Sequence, residues 1–154
     1  MSRPEKIRIC PDEVHFQHVG RLRHPDGLFM ASVTGTFSIK APDRPKRCLA
    51  VLHLFHPDGT HLQTVVYPQG YEPGSEAEVE AAHEAFDEIL SLLLERDPVI
   101  EDIWVKPFEA LIDGMAHGLI YECQDDPDGP IECVWLEPRD IMFHPPWDSG
   151  EYST

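Results

Sequence analysis

A chain of 154 residues and 17.5 kDa is the size of one domain, and 42% hydrophobic residues suffice for a core. Twelve Lys and Arg against 28 Asp and Glu give a formal net charge of −16, which disfavours nucleic acid and anionic membranes, because both call for a cationic surface. No apolar run approaches the roughly 20 residues that span a bilayer, and the opening Met-Ser-Arg-Pro-Glu-Lys has no hydrophobic segment of the signal-peptide type, so a cytoplasmic location is expected.

In chain order, the punctuation comes from three Pro-Asp-Gly turns: His24-Pro25-Asp26-Gly27, His56-Pro57-Asp58-Gly59 and Asp126-Pro127-Asp128-Gly129. Pro presets φ, Asp bonds its own backbone and Gly takes the left-handed position, so each turn predicts a hairpin. Val14, Phe16 and His18 alternate before the first turn, and Phe29 to Ile39 follow it. Cys48 to Phe55 and His61 to Tyr67 flank the second, and Leu119 to Cys123 and Ile131 to Leu136 the third. Pairing Asp126 with Pro130 would set Cys123 directly opposite Cys133, as two small buried hydrophobes or, in the sharper reading, a redox pair. Between residues 40 and 47 runs a basic, proline-bearing loop.

One helix is predicted from about Glu76 to Arg96. Ser75 and Glu78 have the spacing of a capping box, and Val79, Ala82, Phe86, Ile89, Leu90 and Leu93 form an apolar face. Arg96-Asp97-Pro98 closes it, since the residue before proline avoids helical geometry. A further strand is expected near Ile103 to Phe108. The predicted fold class is α+β: a single domain, 1–154, with a curved antiparallel sheet of about seven strands. A four-strand meander, one long helix and a three-strand meander follow in order, with the helix packed on one face. The irregular tail 144–154 carries Trp147 and Tyr152, which are expected to dock on the body.

Charge is distributed unevenly. Residues 1–50 hold nine Lys or Arg and five Asp or Glu, a net +4; residues 51–154 hold three and 23, a net −20. Glu80, Glu84 and Glu88 are spaced by four on the helix, with Asp87 beside them. Like charges at that spacing repel by about 0.2–0.5 kcal/mol per pair. Asp125, Asp126, Asp128 and Glu132 form a second acidic group at the third hairpin. One reading of these acids is dispersal of the protein in water. The other is a surface that captures a basic protein, and these eight residues are its candidate contacts. A homodimer joining the basic loop of one copy to the acidic half of another is a third arrangement.

Catalytic and metal motifs are sparse. No Cys-x-x-Cys, glycine-rich phosphate cradle or Gly-x-Ser-x-Gly elbow is present. His83-Glu84 with Asp87 lacks the second histidine of a zincin helix, and the acids near Asp128 do not follow the calcium-loop ladder. His61 opposite Phe55 would leave His53 and His61 on one face, which is half of a zinc site awaiting a third ligand. No cofactor is implied. The leading expectation is therefore an immunity- or antitoxin-like inhibitor that covers a basic, nuclease-type toxin or effector. The alternatives are a secretion chaperone for an effector and a metal-dependent hydrolase using His53 and His61.

Overall fold

The computed structural model describes residues 3–36 and 42–154; Ile39, expected in the strand after the first turn, and Lys40, at the start of the basic loop, lie outside them. The elements are β1 (Ile7–Ile9), β2 (His18–Arg23), β3 (Asp26–Gly35), β4 (Cys48–Phe55), β5 (His61–Tyr67), α1 (Glu76–Leu94), β6 (Val99–Ile100), β7 (Ile103–Val105), β8 (Phe108–Ile112), β9 (Met115–Gln124), β10 (Ile131–Glu137), β11 (Ile141–Phe143) and β12 (Tyr152–Ser153). The fold is α+β, with antiparallel strands and one helix packed on a sheet.

The strands do not make one curved sheet of seven. They make a first sheet ordered β5-β4-β3-β2-β6, a second ordered β12-β11-β10-β9-β8, and a β1-β7 ribbon. The reason is visible in β4, which is apolar at both parities. Leu49, Val51 and Phe55 point to one side; Ala50, Leu52 and Leu54 point to the other. A sheet with two apolar faces needs two covers. On one face Leu22, Phe29, Ala31 and Ala50 pack with Ile89 and Leu93 of α1. On the other, Val19, Met30 and Phe55 pack with Phe108, Leu119, Val134 and Leu136 of the second sheet. The result is three layers: helix, sheet, sheet.

The second and third Pro-Asp-Gly turns close alike, with the Gly59 N–H bonded to the His56 carbonyl and the Gly129 N–H to the Asp126 carbonyl, both at 2.9 Å, and in the second His56 pairs with Thr60 as expected. In the first, Arg23 pairs with Asp26, so His24 and Pro25 alone form the turn and Gly27 belongs to β3. The end of the helix holds this turn: Arg96 donates to the His24 and Pro25 carbonyls, and its own carbonyl accepts from the N–H groups of Arg23 and His24. Gly27 is needed for close approach, since a Cβ there would sit 2.9 Å from the Phe55 carbonyl oxygen. In the third hairpin Gln124 pairs with Ile131, and Cys123 with Glu132. The one-residue slip sends Cys123 and Cys133 to opposite faces, the first exposed and the second buried.

The strand expected near Ile103 to Phe108 is two strands separated by Lys106 and Pro107, and they serve different sheets. Asp113 and Gly114, both at positive φ (55° and 75°), then turn β8 directly into β9. The tail docks as expected. Trp147 and Tyr152 pack on the core, the Trp147 carbonyl accepts from the Arg8 N–H, and Tyr152 donates its hydroxyl to the Asp12 carboxylate.

At the start of α1, Ser75 caps the helix by accepting from the Glu78 N–H at 3.2 Å. The reciprocal half of the capping box is absent, because the Glu78 carboxylate faces inward and its side chain is fully buried. It accepts from Arg47 Nε at 3.0 Å, from the Cys48 N–H at 2.7 Å and from the Gly74 N–H at 3.0 Å. Val79, expected in the core, is consequently 37% exposed. Removing one partner of a buried ion pair strands the other. Glu78→Ala is therefore expected to lower unfolding free energy by about 3–5 kcal/mol in urea titration; a loss below about 1 kcal/mol would show that the contact does not anchor the helix.

Candidate functional site

With Glu78, Ala82, Ile89 and Leu93 turned toward the first sheet, the opposite side of α1 is fixed by helical geometry. Glu80, Glu84, Asp87 and Glu88 all lie on it, exposed. Among the described residues none of the four is ion-paired with a Lys or Arg. Asp87, Glu88, Ser91 and Leu92 border a shallow depression. Leu92 and Leu94, 62% and 70% exposed, stand at the end of the stripe, two large apolar side chains that packing does not account for.

Four arginines of the first 50 residues pair across the fold. Arg8 pairs with Asp102, Arg21 with Glu101 at 3.1 Å, Arg23 with Asp97 at 3.2 Å, and Arg47 with Glu78 and, at 3.7 Å, Asp113. Every one of these acids comes from the second part of the chain. Folding thus sets part of the asymmetry along the sequence face to face, and most acids of the second part, those of α1 and the third hairpin among them, lie outside these pairs.

That hairpin is part of the second sheet, so it lies in the layer opposite the helix, and the structure does not join the two acidic groups into one patch. Asp125, Asp126 and Asp128 are exposed, but one Asp126 carboxylate oxygen accepts from the Asp128 N–H and serves the turn. Glu132 accepts from the Tyr121 hydroxyl at 2.7 Å, a contact that raises the phenol's pKa above its ordinary value. Within the basic loop Arg47 faces inward to Glu78.

His53 and His61 share a face, as the pairing of His61 with Phe55 requires. What the fold brings to them is a hydroxyl: Thr64 Oγ1 lies 2.8 Å from His53 Nδ1 and 2.7 Å from His61 Nε2. A hydroxyl has one proton, so when it donates to one imidazole it accepts from the other. His61 also stacks on Phe108, with centroids 4.3 Å apart. Among the described residues no group of three or more His, Cys, Asp and Glu is arranged to hold a metal ion. A third imidazole, His117, is buried near His53, and its Nδ1 has no hydrogen-bond partner. His53 and His117 help line a space of about 10 Å3 between the sheets, room for one water. Linear spacing gives no sign of His117, which reaches this place only through the stacking of the two sheets.

No family model, curated protein or solved structure matches the chain.

Burial keeps the inner imidazoles neutral. His53 is held down to about 3, by burial first and then by His117, His61 and Arg139; His117 is held down to about 4 by burial. An unfolded imidazole takes up a proton near pH 6.5, which its folded counterpart refuses. Stability should thus be full above pH 6.5 and fall as pH drops through 6 and 5 toward those folded values, by up to about 1.4 kcal/mol per pH unit for each group. Urea titrations at pH 7.5 and 5.0 measure this, and His117→Leu should flatten the dependence by one proton; an unchanged slope in that variant would contradict the assignment.

Proposed function

We propose that this protein is a cytosolic binding protein that neutralises a basic protein partner, as an immunity or antitoxin-like inhibitor covers the cationic cleft of a nuclease-type toxin. The observation that carries the reading is the α1 stripe: four exposed carboxylates that make no ion pair with Lys or Arg among the described residues, ending in exposed Leu92 and Leu94. Like charges at i, i+4 cost helix stability, and a cationic surface set against them removes that repulsion. Complementary charge would steer encounter, with association rates up to about 10⁸–10⁹ M⁻¹s⁻¹ at low salt. The leucines would supply the desolvated anchor around which an interface's energy concentrates. Inhibition is then steric and electrostatic occlusion and needs no catalytic group on this chain. The hairpin acids Asp125, Asp126, Asp128 and Glu132 are a separate, secondary contact in this reading.

The exposed leucines also favour a second reading, a secretion chaperone that holds an unfolded apolar segment. It expects binding that survives high salt, whereas occlusion by charge does not. The distinguishing variant is Glu80→Lys with Glu84→Lys and Glu88→Lys, expressed tagged in the native cell beside the parent chain. Recovery of a bound basic protein should fall at least tenfold while the thermal unfolding curve keeps its midpoint. Equal recovery by the two chains would remove the α1 stripe from the interface.

A further inference from the structure

A second concavity lies beside α1 and is chemically unlike the stripe. Val14, Ala31, Val33 and Phe86 give it apolar walls, and His15, His18, His83 and Arg139 give it polar ones, around about 230 Å3 of space. Arg139 follows β10, and burial lowers its pKa. Its guanidinium donates to the His15 carbonyl at 3.1 Å and contacts His15 Nδ1 at 3.3 Å, and it lies 5.7 Å from the centroid of the Phe16 ring. Among the described residues no carboxylate is within ion-pair distance of it. The Asp12 carboxylate nearby is taken up by the Tyr152 hydroxyl and by the N–H groups of Val14, His15 and Phe16. In a chain of net charge −16, Arg139 is a half-buried cation that feels the Asp12 charge without forming an ion pair with it, which leaves its guanidinium able to take an outside anion.

We propose that this cleft binds a small molecule bearing one carboxylate on a short apolar group, with Arg139 as its counter-charge. The guanidinium fork matches a carboxylate's two oxygens. Arginine only donates, so its contact with His15 is a hydrogen bond when Nδ1 is the acceptor. Arg139 is the one permanent cation among the described residues that line the cleft. Net charge on the protein repels a dianion twice as strongly as a monoanion, and the apolar walls suit a short hydrocarbon better than a phosphate. The space is below the about 300 Å3 at which pockets for drug-sized ligands begin, which suits a small ligand of butyrate's size. This reading is independent of the α1 stripe.

The test is titration of the full chain at pH 7 with butyrate, butyramide and inorganic phosphate, following the ring resonances of His15, His18 and His83 by NMR. Butyrate should shift them saturably, and butyramide, which has the same shape and no charge, should bind at least tenfold more weakly. Arg139→Gln should weaken butyrate at least tenfold. His83→Glu changes an exposed helix position and adds a negative charge to the wall of the cleft; it should weaken butyrate severalfold more than butyramide, and it decides the matter if Arg139→Gln fails to fold. No saturable response to butyrate, equal affinity for butyramide, or tighter binding of phosphate would overturn the proposal.

Discussion

Glu78 places a carboxylate where water cannot reach it, and the chain is arranged so that this charge is fully met. Arg47 and two backbone N–H groups converge on it from β4 and from the turn before α1. Arg47 in turn donates to the Pro68 carbonyl and lies 3.7 Å from Asp113, which stands on the β8–β9 turn. One guanidinium therefore touches groups in all three layers. A buried ion pair of this kind adds little net stability compared with an apolar contact of the same volume. Its effect is to penalise every other seating of the helix, because any rotation of α1 would leave a bare charge inside. The rotation that satisfies Glu78 is the one that turns Glu80, Glu84, Asp87 and Glu88 outward.

Other arginines from the start of the chain also meet acids from its later part. Arg8, Arg21, Arg23 and Arg47 meet Asp102, Glu101, Asp97 and Glu78 across the fold. The first three pairs are half-exposed, and such pairs are worth at most about 1 kcal/mol each. Their importance here is in what they remove from the surface. Exposed carboxylates remain on α1 and at the tip of a hairpin two layers away, with exposed Leu92 and Leu94 beside the first and exposed Ile131 beside the second.

Much of the architecture was legible in the sequence. The helix span, its Ser75 cap and the second hairpin follow from local chemistry, whereas Trp147 and Tyr152 dock, as expected, through contacts with Arg8 and Asp12 at the other end of the chain. Where the reading departed from the structure, a non-local contact decided the outcome. Glu78 satisfies every local criterion for a capping box, yet Arg47, 31 residues away in sequence, draws its carboxylate inward. The first turn has the residues of the second, but Arg96 at the end of the helix holds a tighter form. The division into two sheets was present in β4 as apolar residues at both parities, and the Asp113-Gly114 turn was an available hairpin signal. Strands of two or three residues, such as β6 and β12, carry no periodicity to read. His117 and the Arg139 cleft come from sheet stacking and from contacts across 124 residues, which linear spacing does not encode.

If the outward face of α1 is, as proposed, an interface held chiefly by charge, its partner binding depends on salt. The most direct measurement is recovery of the protein from its native cells at about 0.1 M and about 0.5 M salt, across which the screening length shortens from about 10 Å to about 4 Å. The account expects a stoichiometric basic protein retained at the lower salt and largely released at the higher. Recovery of the chain alone at both, or of a partner held equally well at both, would contradict it.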